Sequence, residues 1–125
     1  RATEDEMGEA MLTHHTEAVT IKVWPITGTN LLIGIHIEEA AWELAALRFE
    51  AIEGPEWKIM DVRPKSLYDG DEIYLGTLAV ETTTFLHLTL EGDAQGLDLH
   101  LSGLVNGKPL AAVPAKALLF SSEEE

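Results

Sequence analysis

Asn30-Leu31-Leu32-Ile33-Gly34-Ile35-His36-Ile37-Glu38-Glu39-Ala40-Ala41-Trp42-Glu43-Leu44-Ala45-Ala46-Leu47-Arg48-Phe49-Glu50-Ala51-Ile52-Glu53 is the stretch on which the fold turns. Ile33, Ile37, Ala40, Ala41, Leu44, Leu47 and Ala51 recur at the spacing of one helical face. Thr29 or Asn30 can cap the start, and Gly54-Pro55 is a firm stop. The opposite side carries Trp42, Ala45, Ala46 and Phe49, so the helix would be apolar around most of its circumference. Such a helix is enclosed by other elements rather than laid on a surface. In the alternative, Leu31 to Ile37 is a short strand feeding a helix that begins near Glu38. One long helix is the expectation taken forward.

Outward from this stretch the period is two. Val19, Ile21 and Val23 alternate with Thr20, Lys22 and Trp24, a half-buried strand closed by Pro25 and the Thr27–Asn30 cluster. After Pro55 the chain reads as antiparallel sheet. Trp57 to Arg63 is a strand ended by Pro64, Asp69-Gly70-Asp71 is a turn, and Ile73 to Val80 is the next strand. Phe85–Leu90 and Leu97–Val105 read as a hairpin turning within Gly92–Gly96, with Leu86, Leu88 and Leu90 facing the same way as Leu97, Leu99 and Leu101. Asn106-Gly107 signals a tight type I′ turn into a last strand, Leu110 to Phe120, where Pro114 marks an edge or a bulge. Residues 1–16 form an acidic segment expected to fray or to be weakly helical, residues 17–120 a single domain, and residues 121–125 an acidic tail. The fold class expected is α+β, one long central helix wrapped by a curled antiparallel sheet.

With 125 residues, 46% of them hydrophobic, the chain can bury one core. The absence of cysteine removes disulfides, thiolate chemistry and cysteine-ligated zinc, and fits a cytoplasmic location. A net charge of -14 with only eight Lys and Arg argues against nucleic-acid partners and leaves no polybasic patch for a membrane surface. No apolar run reaches the ~20 residues of a spanning helix, and Arg1–Glu6 lacks the features of a signal peptide.

Three stretches carry a resemblance to the hotdog-fold superfamily of acyl-thioester hydrolases and dehydratases. They are the apolar segment Ile33–Ile52 in the place of a central helix, the run from Arg63-Pro64 through Asp69-Gly70-Asp71 to Ile73, and Val105-Asn106-Gly107-Lys108 before the last strand. The stretch Thr29-Asn30-Leu31-Leu32 departs from the His-Gly-Gly loop of the thioesterases, and the dehydratase His-Phe-Pro-Gly loop is also absent. The resemblance implies hydrolysis of acyl-CoA or acyl-carrier-protein thioesters by a carboxylate near the helix start, in a homo-oligomer. The alternatives are a dehydratase or isomerase on carrier-bound acyl chains, or a non-catalytic binding or assembly protein.

The resemblance places Glu39 nearest the position of the catalytic carboxylate, with Glu38 one residue away. His36, three residues before Glu39, would share its helical face as an acid/base partner. Asn30, Gly34, Trp24 and Trp42 complete the expected substrate-binding set, and no metal or cofactor is expected. The plain structural alternative for Glu38 and Glu39 is a favourable interaction with the helix dipole. His87 and His100, read as facing one side of the hairpin with Glu91 or Asp98 nearby, and the adjacent His14-His15 are the only sets suggestive of a metal. Trp57 joins Trp24 and Trp42 as a candidate pocket wall or core residue.

Overall fold

A computed structural model describes residues 12–25, 30–52, 57–63, 65, 67–70, 72–91, 96–114 and 118–119. The described residues form strands and turns with no helix, which corrects the α+β, hotdog-like expectation. The strands are β1 (Leu12–His15), β2 (Val19–Pro25), β3 (Asn30–Ile37), β4 (Trp42–Ala51), β5 (Lys58–Arg63), β6 (Leu67–Asp69), β7 (Glu72–Leu78), β8 (Thr83–Glu91), β9 (Gly96–Val105), β10 (Lys108–Ala112) and β11 (Leu118–Leu119). One sheet has the order β1-β2-β3-β8-β5, the other β10-β9-β4-β7-β6 with β11 also on β9. The strand pairings in both sheets are antiparallel. A single buried apolar cluster draws on both sheets, so the architecture is a β-sandwich.

The stretch expected to be one helix is two strands in different sheets. In β3, Leu31, Ile33, Ile35 and Ile37 are all fully buried, a strict period of two. Ile33 and Ile37, four residues apart, satisfy both that period and the helical one. In β4, Ala45, Leu47 and Phe49 alternate into the core, but Trp42 precedes them by an odd number of residues. A β-bulge causes the offset. Glu43 pairs with Leu104 and Ala46 with Ser102, so Leu44 and Ala45 together oppose Gly103. Leu44 adopts φ 53° and its side chain is 74% exposed. The bulge thus turns an alternating pattern into one with three-residue steps, and the helix-favouring Ala, Leu, Glu and Arg of β4 are overridden by pairing on both sides, with β7 and β9.

Two other expectations need correction. Leu12–His15, expected to fray, is β1, paired with β2 through a turn in which Thr16 Oγ1 accepts from the backbone N–H of Ala18 and Val19. The two strands of the expected Phe85–Val105 hairpin lie in separate sheets. Leu86, Leu88 and Leu90 and Leu97, Leu99 and Leu101 all point into the one buried cluster, but from different sheets rather than along a shared ladder. Of the expected turn at Gly92–Gly96, residues 92–95 lie outside the described residues and Gly96 begins β9; Thr29, Gly54-Pro55, Pro64, Asp71 and Phe120 also lie outside them.

The remaining strands lie near their expected places. Asn106 and Gly107, at φ 55° and 80°, join Val105 to Lys108 in a two-residue turn, the geometry expected of type I′. The expected last strand is split into β10 and β11, with Pro114 between them. No helix of the described residues is long and apolar enough to cross a membrane.

Candidate functional site

The outer face of the first sheet carries the most developed site. Alternation in β2 sends Val19, Ile21 and Val23 inward, leaving Thr20, Lys22 and Trp24 outward. Cross-strand register then builds two rows. Thr20 pairs with His36 and His36 with Thr83; Lys22 pairs with Gly34 and Gly34 with Phe85. These six residues, with Trp24 and Glu38, line a hollow of about 280 Å³.

Gly34 makes the hollow possible. A Cβ there would stand 3.0 Å from Phe85 Cε1 and 3.3 Å from Trp24 Cζ3, so the two rings occupy the space that a side chain would fill. Their centroids are 6.4 Å apart at an interplanar angle of 37°. Trp24 is buried, whereas Phe85 keeps 47% of its surface exposed. An exposed phenyl in a row of polar side chains is an apolar platform open to a ligand.

The opposite end is polar. The Thr20 hydroxyl donates to Glu38 Oε2. Since that uses its single proton, the 2.6 Å contact of Thr20 Oγ1 with His15 Nδ1 requires the imidazole to donate. His36 Nδ1 lies 2.8 Å from Thr83 Oγ1, and His36 Nε2 lies 3.9 Å from Glu38 Oε1. His15 Nδ1 is 3.8 Å from Glu38 Oε2. Glu38 therefore stands between two imidazoles and is oriented by a hydroxyl, while its backbone N–H donates to Ala18 O. The group can accept hydrogen bonds from a ligand and, with His36, can exchange protons with one.

Of the residues nominated from sequence, Trp24, Gly34, His36 and Glu38 come together here. Glu39 lies on the exposed bend between β3 and β4, off the hollow, and no helix start supports it. Asn30 shares the outer face but sits farther along β3, where its Oδ1 accepts from Thr89 Oγ1 at 2.7 Å. Trp42 belongs to the other sheet; fully buried, it lines a separate cleft of about 400 Å³ between the β1–β2 turn and β10. Trp57 is core, its indole N–H donating to Gly96 O at 3.0 Å.

Sequence reasoning missed Thr20, Lys22, Thr83 and Phe85, and named His15 only with His14 as a possible metal pair. The signal for Phe85 was present: it shares a strand face with His87, so it is an aromatic residue at a polar-face position. His87 and His100 are on different sheets and cannot form the shared hairpin face expected of them.

No protein-family model, no curated protein and no solved structure matches this chain.

Proposed function

We propose that this chain is a binding module for a small polyhydroxylated ring, a saccharide unit in the first instance, seated in the hollow of the β2-β3-β8 face. The observation that carries the reading is the half-exposed Phe85 ring beside a chain of hydrogen-bonding groups, Thr20, Glu38, His36 and Thr83, in one depression. A sugar ring has an apolar C–H face that packs on an aromatic ring, and hydroxyls that both donate and accept. Glu38 accepts from them; the imidazoles and threonine hydroxyls do either. The volume, about 280 Å³, suits one small ring rather than an extended chain. The test is a titration of the ¹⁵N-labelled chain with a panel of monosaccharides and short oligosaccharides. Saturable shifts centred on Thr20, Gly34, His36, Thr83 and Phe85 are expected. Shifts centred elsewhere, or none with any sugar at about 10 mM, beyond the millimolar range of weak complexes, contradict the reading.

A second reading, hydrolysis of acyl thioesters, is favoured by one observation: a carboxylate, Glu38, within 3.9 Å of an imidazole, His36, in the same hollow. Such a pair can serve as general base and acid. Thiol release from acyl-CoA or acyl-carrier substrates, lost in Glu38→Gln, would favour this reading over pure binding.

A further inference from the structure

On the outer face of the second sheet, β4 and β9 bring Glu50, Asp98 and His100 together, and we propose that these three side chains bind a divalent transition-metal ion such as Zn²⁺. Glu50 pairs directly with Asp98, and His100 follows Asp98 by two residues on the same face. One ligand atom from each lies within 4.8 Å of the other two. Donor atoms about 2.0–2.2 Å from a shared ion stand only a few ångströms apart, so a small adjustment of the exposed Glu50 and the half-buried Asp98 and His100 closes the site.

His100 supplies the observation that separates this group from an ordinary acidic patch. Its Nε2 is shielded from solvent and has no hydrogen-bond partner among the described residues, although the side chain is on an outer face. That nitrogen is 3.4 Å from Glu50 Oε1. An imidazole nitrogen shielded from solvent and placed beside two carboxylates can give its lone pair to a metal ion seated among them. The other oxygen of Glu50 is 3.9 Å from Arg48 Nη1, which leaves Oε1 directed at the site. One nitrogen and two carboxylate oxygens suit a borderline ion, and three protein ligands leave a coordination position for water. The site is on the opposite sheet from the ring-binding hollow and is independent of it.

Calorimetric titration of the full chain with Zn²⁺ tests the proposal, combined with Mn²⁺ broadening of its amide and imidazole resonances. The expected result is one equivalent of Zn²⁺ bound, with Mn²⁺ broadening centred on residues 50, 98 and 100. His100→Ala and Asp98→Asn should each weaken Zn²⁺ binding at least about tenfold, since even the loss of a group that only orients a ligand costs that much. His87→Ala, on the other sheet, should leave it intact. Folding of each variant is checked by its cooperative melt. Absence of Zn²⁺ binding at about 1 mM, the weak end of measurable complexes, overturns the proposal. So does binding that persists unchanged in folded His100→Ala, or broadening centred on His14 and His15.

Discussion

Leu44 and Leu47 would share one stripe of a helix, yet the sandwich exposes 74% of the first and buries the second completely. Their alanine variants therefore separate the two structures. Leu47→Ala should cost about 2–5 kcal/mol, the range for a core leucine whose cavity cannot fully collapse. Leu44→Ala should change stability by less than about 0.5 kcal/mol, as for other exposed positions. Urea denaturation measures both, and comparable losses would contradict the β4 register. Leu44→Asn goes further: at φ 53° asparagine is tolerated better than leucine, so a gain of about 0.5–1 kcal/mol is expected, whereas a helix would lose stability. At Gly34 the expected change is in binding. A methyl group there meets Phe85 Cε1 at 3.0 Å, and the half-exposed ring can swing aside. Gly34→Ala should thus cost under about 1 kcal/mol in stability and weaken any ligand of the hollow by about tenfold or more, about 1.4 kcal/mol.

At the scale of elements, legibility followed the regularity of the alternation. Val19, Ile21 and Val23 were read correctly because nothing interrupts their period, and Asn106-Gly107 because its turn chemistry is local. β3 was legible too, as the alternative strand reading of Leu31–Ile37, and was lost only by joining it to residues 38–53 in one helix. β4 was not legible. Its bulge shifts the buried series between Trp42 and Ala45, and its residues favour helix. The misreading had a chemical consequence. A period of 3.6 groups His36 with Glu39, whereas the extended chain turns His36 and Glu38 to one side, where they stand 3.9 Å apart. His36 and Glu38 were therefore named for a reason that the structure replaces.

Gly103 is the partner that accommodates this bulge. A Cβ there would lie 3.0 Å from Trp42 Cε3 and 3.1 Å from the carbonyl oxygen of Glu43. Neither can retreat freely, one being in the core and the other backbone. Gly103→Ala should cost about 1–3 kcal/mol by overpacking, and a melt unchanged from the parent would contradict the close approach. At the β9–β10 turn, Gly107 at φ 80° is also bound to its residue type, but through the backbone alone. Gly107→Ala should cost about 1–2 kcal/mol, the penalty of a left-handed conformation, whereas Asn106→Gly should be nearly neutral.

For the whole molecule, the central feature is the repeated passage of the chain between sheets. From β3 onward, the chain changes sheet after β3, β4, β5, β7 and β8, and hairpins remain at β6–β7 and β9–β10. This interleaving turns the apolar faces of β8 and β9 into one core from different sheets and sends their histidines to opposite outer surfaces. It also separates the hollow of the first sheet from the proposed metal cluster by the thickness of the sandwich. Glu38 lies on one outer face, and Glu50 and Asp98 on the other.

Everything rests on residues 30–51 being two strands in two sheets, and backbone NOEs between assigned residues test that most directly. The sandwich predicts cross-strand contacts from Gly34 to both Lys22 and Phe85, and from Leu47 to both Ile73 and Leu101. A continuous series of i to i+3 contacts from Ile33 to Ala51, with those cross-strand contacts missing, would restore the helix and contradict the fold and the site built on it.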